Sequence, residues 1–330
     1  MKISIVGAGS WGTALGQVLS ENGHEPLLWH HNPEFVEEIS TTHCHPFLSE
    51  YALHPALKFT HSLEETTAFS DILISALPSQ VVRQVFSNIP ELKVKIIVSV
   101  SKGIEMDTGQ RMSQVFEDIL QIDSDAFVVL SGPSHAEEVI QKFPTTVVAA
   151  GTSLENARII QNLFSNTYFR VYTGADVAGV EIGGAAKNII ALAAGICQGL
   201  GFGDNTMAAL VTRGLEEIIR LGTTLGGKRE TISGLSGMGD LVVTAFSAHS
   251  RNRQVGQRIG KGESLQSILA SMEMVAEGVS TTKSLYTLAQ TLEVDMPICR
   301  QIYRVLYEGL VPRDGILELM SRELVDEHPL

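Results

Sequence analysis

ISIVGAGSWGTALGQVLSEN, residues 3–22, is the stretch that decides the fold class. Ile3-Ser4-Ile5-Val6 is a short apolar strand, and Thr13–Asn22 carries the apolar spacing of a helix. Gly7-Ala8-Gly9-Ser10-Trp11-Gly12 joins them as a GxGxxG run. Strand, glycine turn and helix in that order is the setting that gives the motif meaning. Gly7 permits a tight turn, Gly9 lets backbone approach a pyrophosphate, and Gly12 lets the helix pack on the strand. The free N–H groups at the helix start then face the phosphates. A dinucleotide-binding unit is expected here, with Gly7, Gly9 and Gly12 as cofactor positions.

Working outward, Glu25–Trp29 reads as a second strand ending in Trp29-His30-His31-Asn32-Pro33. An NAD-selective site usually carries a carboxylate at that end, and no acid stands before Glu34. The histidines are either partners for a 2′-phosphate or surface imidazoles, so NADP is permitted beside NAD. Asp71–Leu77, Lys95–Val100 and Ala126–Leu130 are near-continuous apolar runs. Such runs suit parallel strands covered on both faces. Thr145–Ala150 and Phe169–Tyr172 are further strands flanking a helix at Ser153–Phe164. Ligand crevices in open α/β sheets lie outside the strand C-termini. That makes Lys102, in VSVSKG (98–103), and Gly132 and Ser134, in LSGPSHA (130–136), site candidates. A solvated loop lysine is the alternative for Lys102.

Strand patterns stop after Tyr172, and the chain from Asp176 onward reads as helix and loop. Val177–Gly203 is a long helix of small and apolar residues with Lys187 in its middle. Its glycines at 179, 183, 184 and 195 cost helix stability and make sense if other backbones pack closely. Lys187 either snorkels from a core helix or points into a cleft with a lowered pKa. Thr206–Leu225 is a second amphipathic helix, Thr231–Leu241 a glycine-rich loop bearing Asp240, and Ser250–Arg258 a cationic cluster. That cluster is an anion site or a solvated helix face, with Arg251 and Asn252 suited to a phosphate. Glu277–Thr291 and Pro297–Tyr307 are the last long helices. The expected fold is α/β: an N-terminal Rossmann-like dinucleotide-binding domain over 1–180, then an all-α C-terminal domain over 181–330.

At 330 residues the chain has room for two cores. A net charge of −13 argues against nucleic acid or an anionic membrane as the main partner. It also makes the few placed cations informative. Cys44, Cys197 and Cys299 are far apart and without zinc spacing, so no metal is expected and a reducing cytoplasm fits. Met1-Lys2 runs straight into a strand, so no leader is expected. Ile189–Gly203 reads as too short and too glycine-rich for a membrane span.

Taken together these residues resemble the bacterial-type NAD(P)-dependent glycerol-3-phosphate dehydrogenase family. The resemblance rests on GAGSWGTAL (7–15), GHEPLLWHHNPE (23–34), SKGIE (101–105), SGPSHAEEV (131–139) and GGAAKNIIALAAG (183–195). It continues through TRGLEE (212–217), GLSGMGDL (234–241), SRNRQVG (250–256), VAEG (275–278) and PI (297–298). It implies hydride exchange between NAD(H) or NADP(H) and the sn-glycerol 3-phosphate/dihydroxyacetone phosphate pair. It further implies a supply of glycerol 3-phosphate for phospholipids, a cytoplasmic location and a homodimer. Lys187 is implied as the proton acceptor. Ser10, Trp11, His31, Lys102, Ala136, Arg251, Val275 and Glu277 are implied cofactor contacts. Lys102, Gly132, Ser134, Lys187, Asp240, Ser250, Arg251 and Asn252 are implied substrate contacts. The chain departs from the family pattern at His30-His31, where many relatives carry arginine, and at His135, where an aromatic is usual. Cys44–Ser49 lacks the Asn and Pro of the corresponding family segment. The rival readings are a reductase of another small hydroxy acid and a nicotinamide-binding sensor without turnover.

Overall fold

The computed structural model describes residues 1–330 except 49, 90, 91, 273, 274, 325 and 328–330. Ser49, at the end of the departing Cys44–Ser49 segment, lies outside the described residues. The sheet has eight strands: β1 (Ile3–Val6), β2 (Leu27–Trp29), β3 (Lys58–Thr60), β4 (Ile72–Ser75), β5 (Ile96–Ser99), β6 (Phe127–Ser131), β7 (Thr145–Gly151) and β8 (Phe169–Gly174). Their order is β3-β2-β1-β4-β5-β6-β7-β8. Neighbours are parallel except β6 and β7, where Val129 faces Ala150 in an antiparallel pair. β3 is a strand the sequence pattern did not suggest.

Both faces of the sheet are covered, as the apolar runs require. Along β4 and β5, Ile72, Ile74, Ile96 and Val98 enter one core while Leu73 and Ile97 enter the opposite one. A third core belongs to the helices after β8 and centres on the Val177–Gly199 helix. That helix stops at Gly199, four residues before the expected Gly203, and Gly201 turns the chain with φ +81°. By length and composition it could cross a membrane, being longer than the Ile189–Gly203 stretch read from sequence, but its Gly179–Cys197 portion is buried within the fold.

The helix Arg251–Gly260 lies against it, backbone to backbone. A Cβ on Gly195 would sit 2.0 Å from the Arg253 carbonyl oxygen, and one on Gly256 would sit 2.0 Å from that of Leu192. Gly199 and Gly260 repeat the arrangement one turn on, against Gln257 and Ile196. Four glycines thus set how near the start of the second helix, Arg251, comes to Lys187. Gly195→Ala meets backbone that no rotamer change can relieve. It should cost about 3 kcal/mol, the upper range of overpacking, read as a lower urea midpoint at unchanged m-value. An unaltered midpoint would contradict this packing argument.

Candidate functional site

Lys102 follows β5, and Lys187 sits in the middle of the long helix. The helix approaches the sheet at Gly184, where a Cβ would fall 2.8 Å from Ser131 Oγ at the end of β6. Next to it, Gly183 touches the Gly237 backbone, with its would-be Cβ at 2.9 Å. The segment expected as a glycine-rich loop, Thr231–Leu241, is not a loop. It is wound as a short helix to Ile232, a π-helical turn over Leu235–Gly239, and a helix that begins at Asp240. Gly237 is required by contact rather than by flexibility, since a Cβ there would lie 1.9 Å from the Ile232 carbonyl oxygen.

This winding aims Asp240 at both lysines. Lys102 Nζ donates to Asp240 Oδ2 at 2.6 Å and to the Gly132 carbonyl at 3.0 Å. Lys187 Nζ donates to Asp240 Oδ1 at 2.7 Å and to Thr244 Oγ1 at 2.7 Å. Thr244 lies one turn after Asp240 and donates its own proton to the Asp240 carbonyl. Asp240 is 1% exposed and Lys187 6%. Burial pushes the Lys187 ammonium down to about 8; the Lys102 charge adds to this and Asp240 resists it. Burial pushes the Asp240 carboxyl up, but the two ammonium groups outweigh it and hold it below its ordinary value. One carboxylate is therefore shared by two ammonium groups at the end of the sheet.

The glycine turn forms the other end. Gly7 has φ +117°, and a Cβ there would lie 2.6 Å from the Ala76 carbonyl oxygen. Gly12 packs on the Gly7 carbonyl, with its would-be Cβ at 1.9 Å, whereas a Cβ on Gly9 would meet nothing within 4 Å. Gly9 is thus the open position over the helix start. The Ser10–Glu21 helix has no side-chain cap, and Ser10 Oγ and Trp11 Nε1 are buried without partners. Uncapped N–H groups and two waiting polar atoms above a bare glycine fit a pyrophosphate. At the end of β2, His30 stacks on Phe35 with ring centroids 4.0 Å apart, and His31 is exposed. Burial, then the neighbouring His31, lowers the His30 pKa.

Gly7, Gly9, Ser10, Trp11, His31, Lys102, Ser134, Ala136, Lys187, Ser250, Arg251, Asn252, Val275 and Glu277 all line one cleft of about 460 Å³. Three of the expected residues stand behind its wall. Gly12 is packed on Gly7, Gly132 turns its carbonyl to Lys102, and both Asp240 oxygens are taken by lysines. Ser250 caps its helix by accepting from the Arg253 N–H, and Asn252 Oδ1 accepts from the Gly278 N–H. Arg251 donates to the Val275 carbonyl, and Glu277 accepts from the Ser79 N–H. Burial pushes the Glu277 carboxyl up against that hydrogen bond and the Arg251 charge. The cleft also holds Asn188, Thr244 and His249, which sequence reasoning did not single out. Thr244 was legible in principle as Asp240 plus four, had the glycines not suggested a loop. A separate depression of about 570 Å³ lies by β8 between Thr145, Gln161 and Tyr172, and it contains neither lysine.

Two family descriptions match the chain: NAD-dependent glycerol-3-phosphate dehydrogenase N-terminus over residues 2–157, and the C-terminus of the same family over 176–317. Glycerol-3-phosphate dehydrogenase (NAD(P)+) of Chlorobium phaeobacteroides strain BS1 is 48% identical over 327 residues, covering 98% of each chain. The crystal structure of glycerol-3-phosphate dehydrogenase from Coxiella burnetii superposes with a TM-score of 0.93 at 34% identity, over 97% of this chain and 99% of that one. D-mandelate dehydrogenase, at TM-score 0.66 and 13% identity over 96% of this chain and 100% of that one, shares the fold alone.

Proposed function

The chain belongs to the NAD-dependent glycerol-3-phosphate dehydrogenase family, and from that membership we propose that the cleft around Lys187 is where it works. The protein is an NAD(P)-dependent oxidoreductase that interconverts sn-glycerol 3-phosphate and dihydroxyacetone phosphate. When bound, the nicotinamide supplies the hydride donor or acceptor. Gly7, Gly9, Ser10, Trp11, His31, Ala136, Val275 and Glu277 would hold the dinucleotide.

The observation that carries the assignment is the Asp240 carboxylate shared by two lysines, with Arg251 on the same cleft. In oxidation Lys187 takes the hydroxyl proton, and in reduction it returns one to the carbonyl oxygen. Its lowered pKa suits both roles near neutrality. Lys102, fixed by Asp240 and Gly132, places a second cation where charge develops on that oxygen. Thr244 and Asp240 orient Lys187 rather than the substrate, because each is already bonded to it. Arg251 and Asn252 hold the phosphate, so that binding energy far from the reacting carbon positions it. Ser134 and Ser250 shape the substrate end, and Gly132 acts behind it by holding Lys102.

Arg251→Ala tests this reading. Loss of a charge-assisted contact to phosphate should raise KM for dihydroxyacetone phosphate about 10- to 100-fold, with kcat falling much less. An unchanged KM would move the phosphate site elsewhere. We assign 1–180 to the cofactor and 181–330 to the substrate, and propose a cytoplasmic homodimer that supplies glycerol 3-phosphate for phospholipids.

A further inference from the structure

Among the described residues, three buried polar atoms on the cleft residues have no hydrogen-bond partner in the chain: Ser10 Oγ, Trp11 Nε1 and His135 Nε2. The first two belong to the glycine turn. His135 belongs to the opposite end, at the start of the Ala136–Ile140 helix. Its ring centroid lies 5.9 Å from that of His249, the residue that leads into Ser250 and Arg251. It also feels the charges of Lys187 and Lys102. The imidazole thus lines the same cleft as Lys102, Lys187 and Arg251 and lies beside the residue that precedes Ser250 and Arg251.

Its protonation state follows from those neighbours. Burial first, then Lys187 and Lys102, push His135 down to about 4, against the opposing pull of Asp240. At neutral pH the ring is uncharged and carries one N–H. Nε2 has no partner within the chain, and in the tautomer that carries the proton there it is a donor free for a ligand oxygen. The oxygen at the reacting carbon already has Lys187 and Lys102 beside it. A phosphate presents several acceptor oxygens and has only Arg251 and Asn252 assigned to it.

We propose that His135 is a further substrate-binding residue, whose Nε2–H donates to the phosphate of the triose, with His249 flanking the same group. The inference rests on Arg251 and Asn252 holding that phosphate. It gives the imidazole a contact that a phenyl ring cannot make. The phosphate end of this cleft then has a neutral donor in addition to Arg251, which adds affinity without another positive charge beside Lys187.

The test uses His135→Phe, which fills the ring volume without a donor, and His135→Gln, which keeps one. The chain has two tryptophans, Trp11 and Trp29, and both line the cleft. Their fluorescence therefore reads the NADH dissociation constant independently of turnover. His135→Phe should raise KM for dihydroxyacetone phosphate about 10- to 100-fold, the range for a hydrogen bond to a charged group. Its kcat should fall far less, and NADH affinity should stay within about two-fold. His135→Gln should recover most of the lost KM. An unchanged KM in His135→Phe overturns the proposal. Equal weakening of NADH would make His135 a cofactor contact instead, and failure of Gln to rescue would make its role structural. Lys187→Ala is assayed alongside: if it is active, the reading of the whole cleft fails. If it is inactive while His135→Phe is unaffected, only the histidine contact fails.

Discussion

Lys187→Ala is expected to lower kcat in both directions by about 1,000-fold or more, the loss of a positioned proton donor and acceptor. NADH should still quench the fluorescence of Trp11 and Trp29, because the glycine turn is built without Lys187. The wild-type pH profile has a definite sign. Burial brings the ammonium from 10.5 down to about 8. Oxidation needs the neutral amine, so kcat/KM for glycerol 3-phosphate should rise as pH increases through about 8 and level off above it. Reduction needs the ammonium, so kcat/KM for dihydroxyacetone phosphate should be full below about 8 and fall above it. Substantial activity in the alanine variant, or the opposite pair of slopes, would falsify the assignment.

Asp240→Asn should have the next largest effect, although the carboxylate stands behind the cleft wall. The amide keeps the shape and loses the charge that Lys102 and Lys187 share at 2.6 and 2.7 Å. Two ammonium groups, Lys187 buried and Lys102 partly so, then lose the carboxylate they share. Breaking a buried pair in this way typically costs about 3–5 kcal/mol, to be read from denaturant unfolding. Asp240 is also the main influence holding the Lys187 pKa up. Without it the pH at which reduction falls off should move below about 8, and kcat at neutral pH should drop about 100-fold. A variant with unchanged stability and an unmoved profile would show that the carboxylate is dispensable. Thr244→Val separates the two effects in principle, since it removes an oxygen acceptor from Lys187 and leaves every charge in place.

Much of this was legible where neighbours along the chain carry the information. β1, Gly7, Gly9 and Gly12 follow from one local pattern, because a tight turn and close backbone approach demand small residues at fixed spacing. The buried strands were legible from their apolar runs. β3 was not: Lys58-Phe59-Thr60 is three residues long, and its burial runs from exposed to buried with no alternation. Nor does any run of residues state its direction, so the reversal between β6 and β7 came only from the assembled sheet.

The glycines show where sequence reading stops. Gly183, Gly184 and Gly195 correctly suggested close packing around the Lys187 helix. Similar glycines at 234, 237 and 239 suggested a loop, yet Gly237 and Gly239 lie in a π-helical turn where a Cβ on Gly237 would lie 1.9 Å from the Ile232 carbonyl oxygen. Propensity favours a loop there, and tertiary contact overrides it. The consequence falls on the two residues whose roles sequence left open. Whether Lys187 reaches solvent or a cleft, and whether Asp240 meets a lysine or a substrate, depends on groups 53 and 138 residues apart in the chain. The sequence by itself determined the dinucleotide turn, the buried strands and the identity of the cations. Only the tertiary structure decided that one carboxylate holds two of those cations, because desolvation and Coulomb attraction act through space and not along the chain.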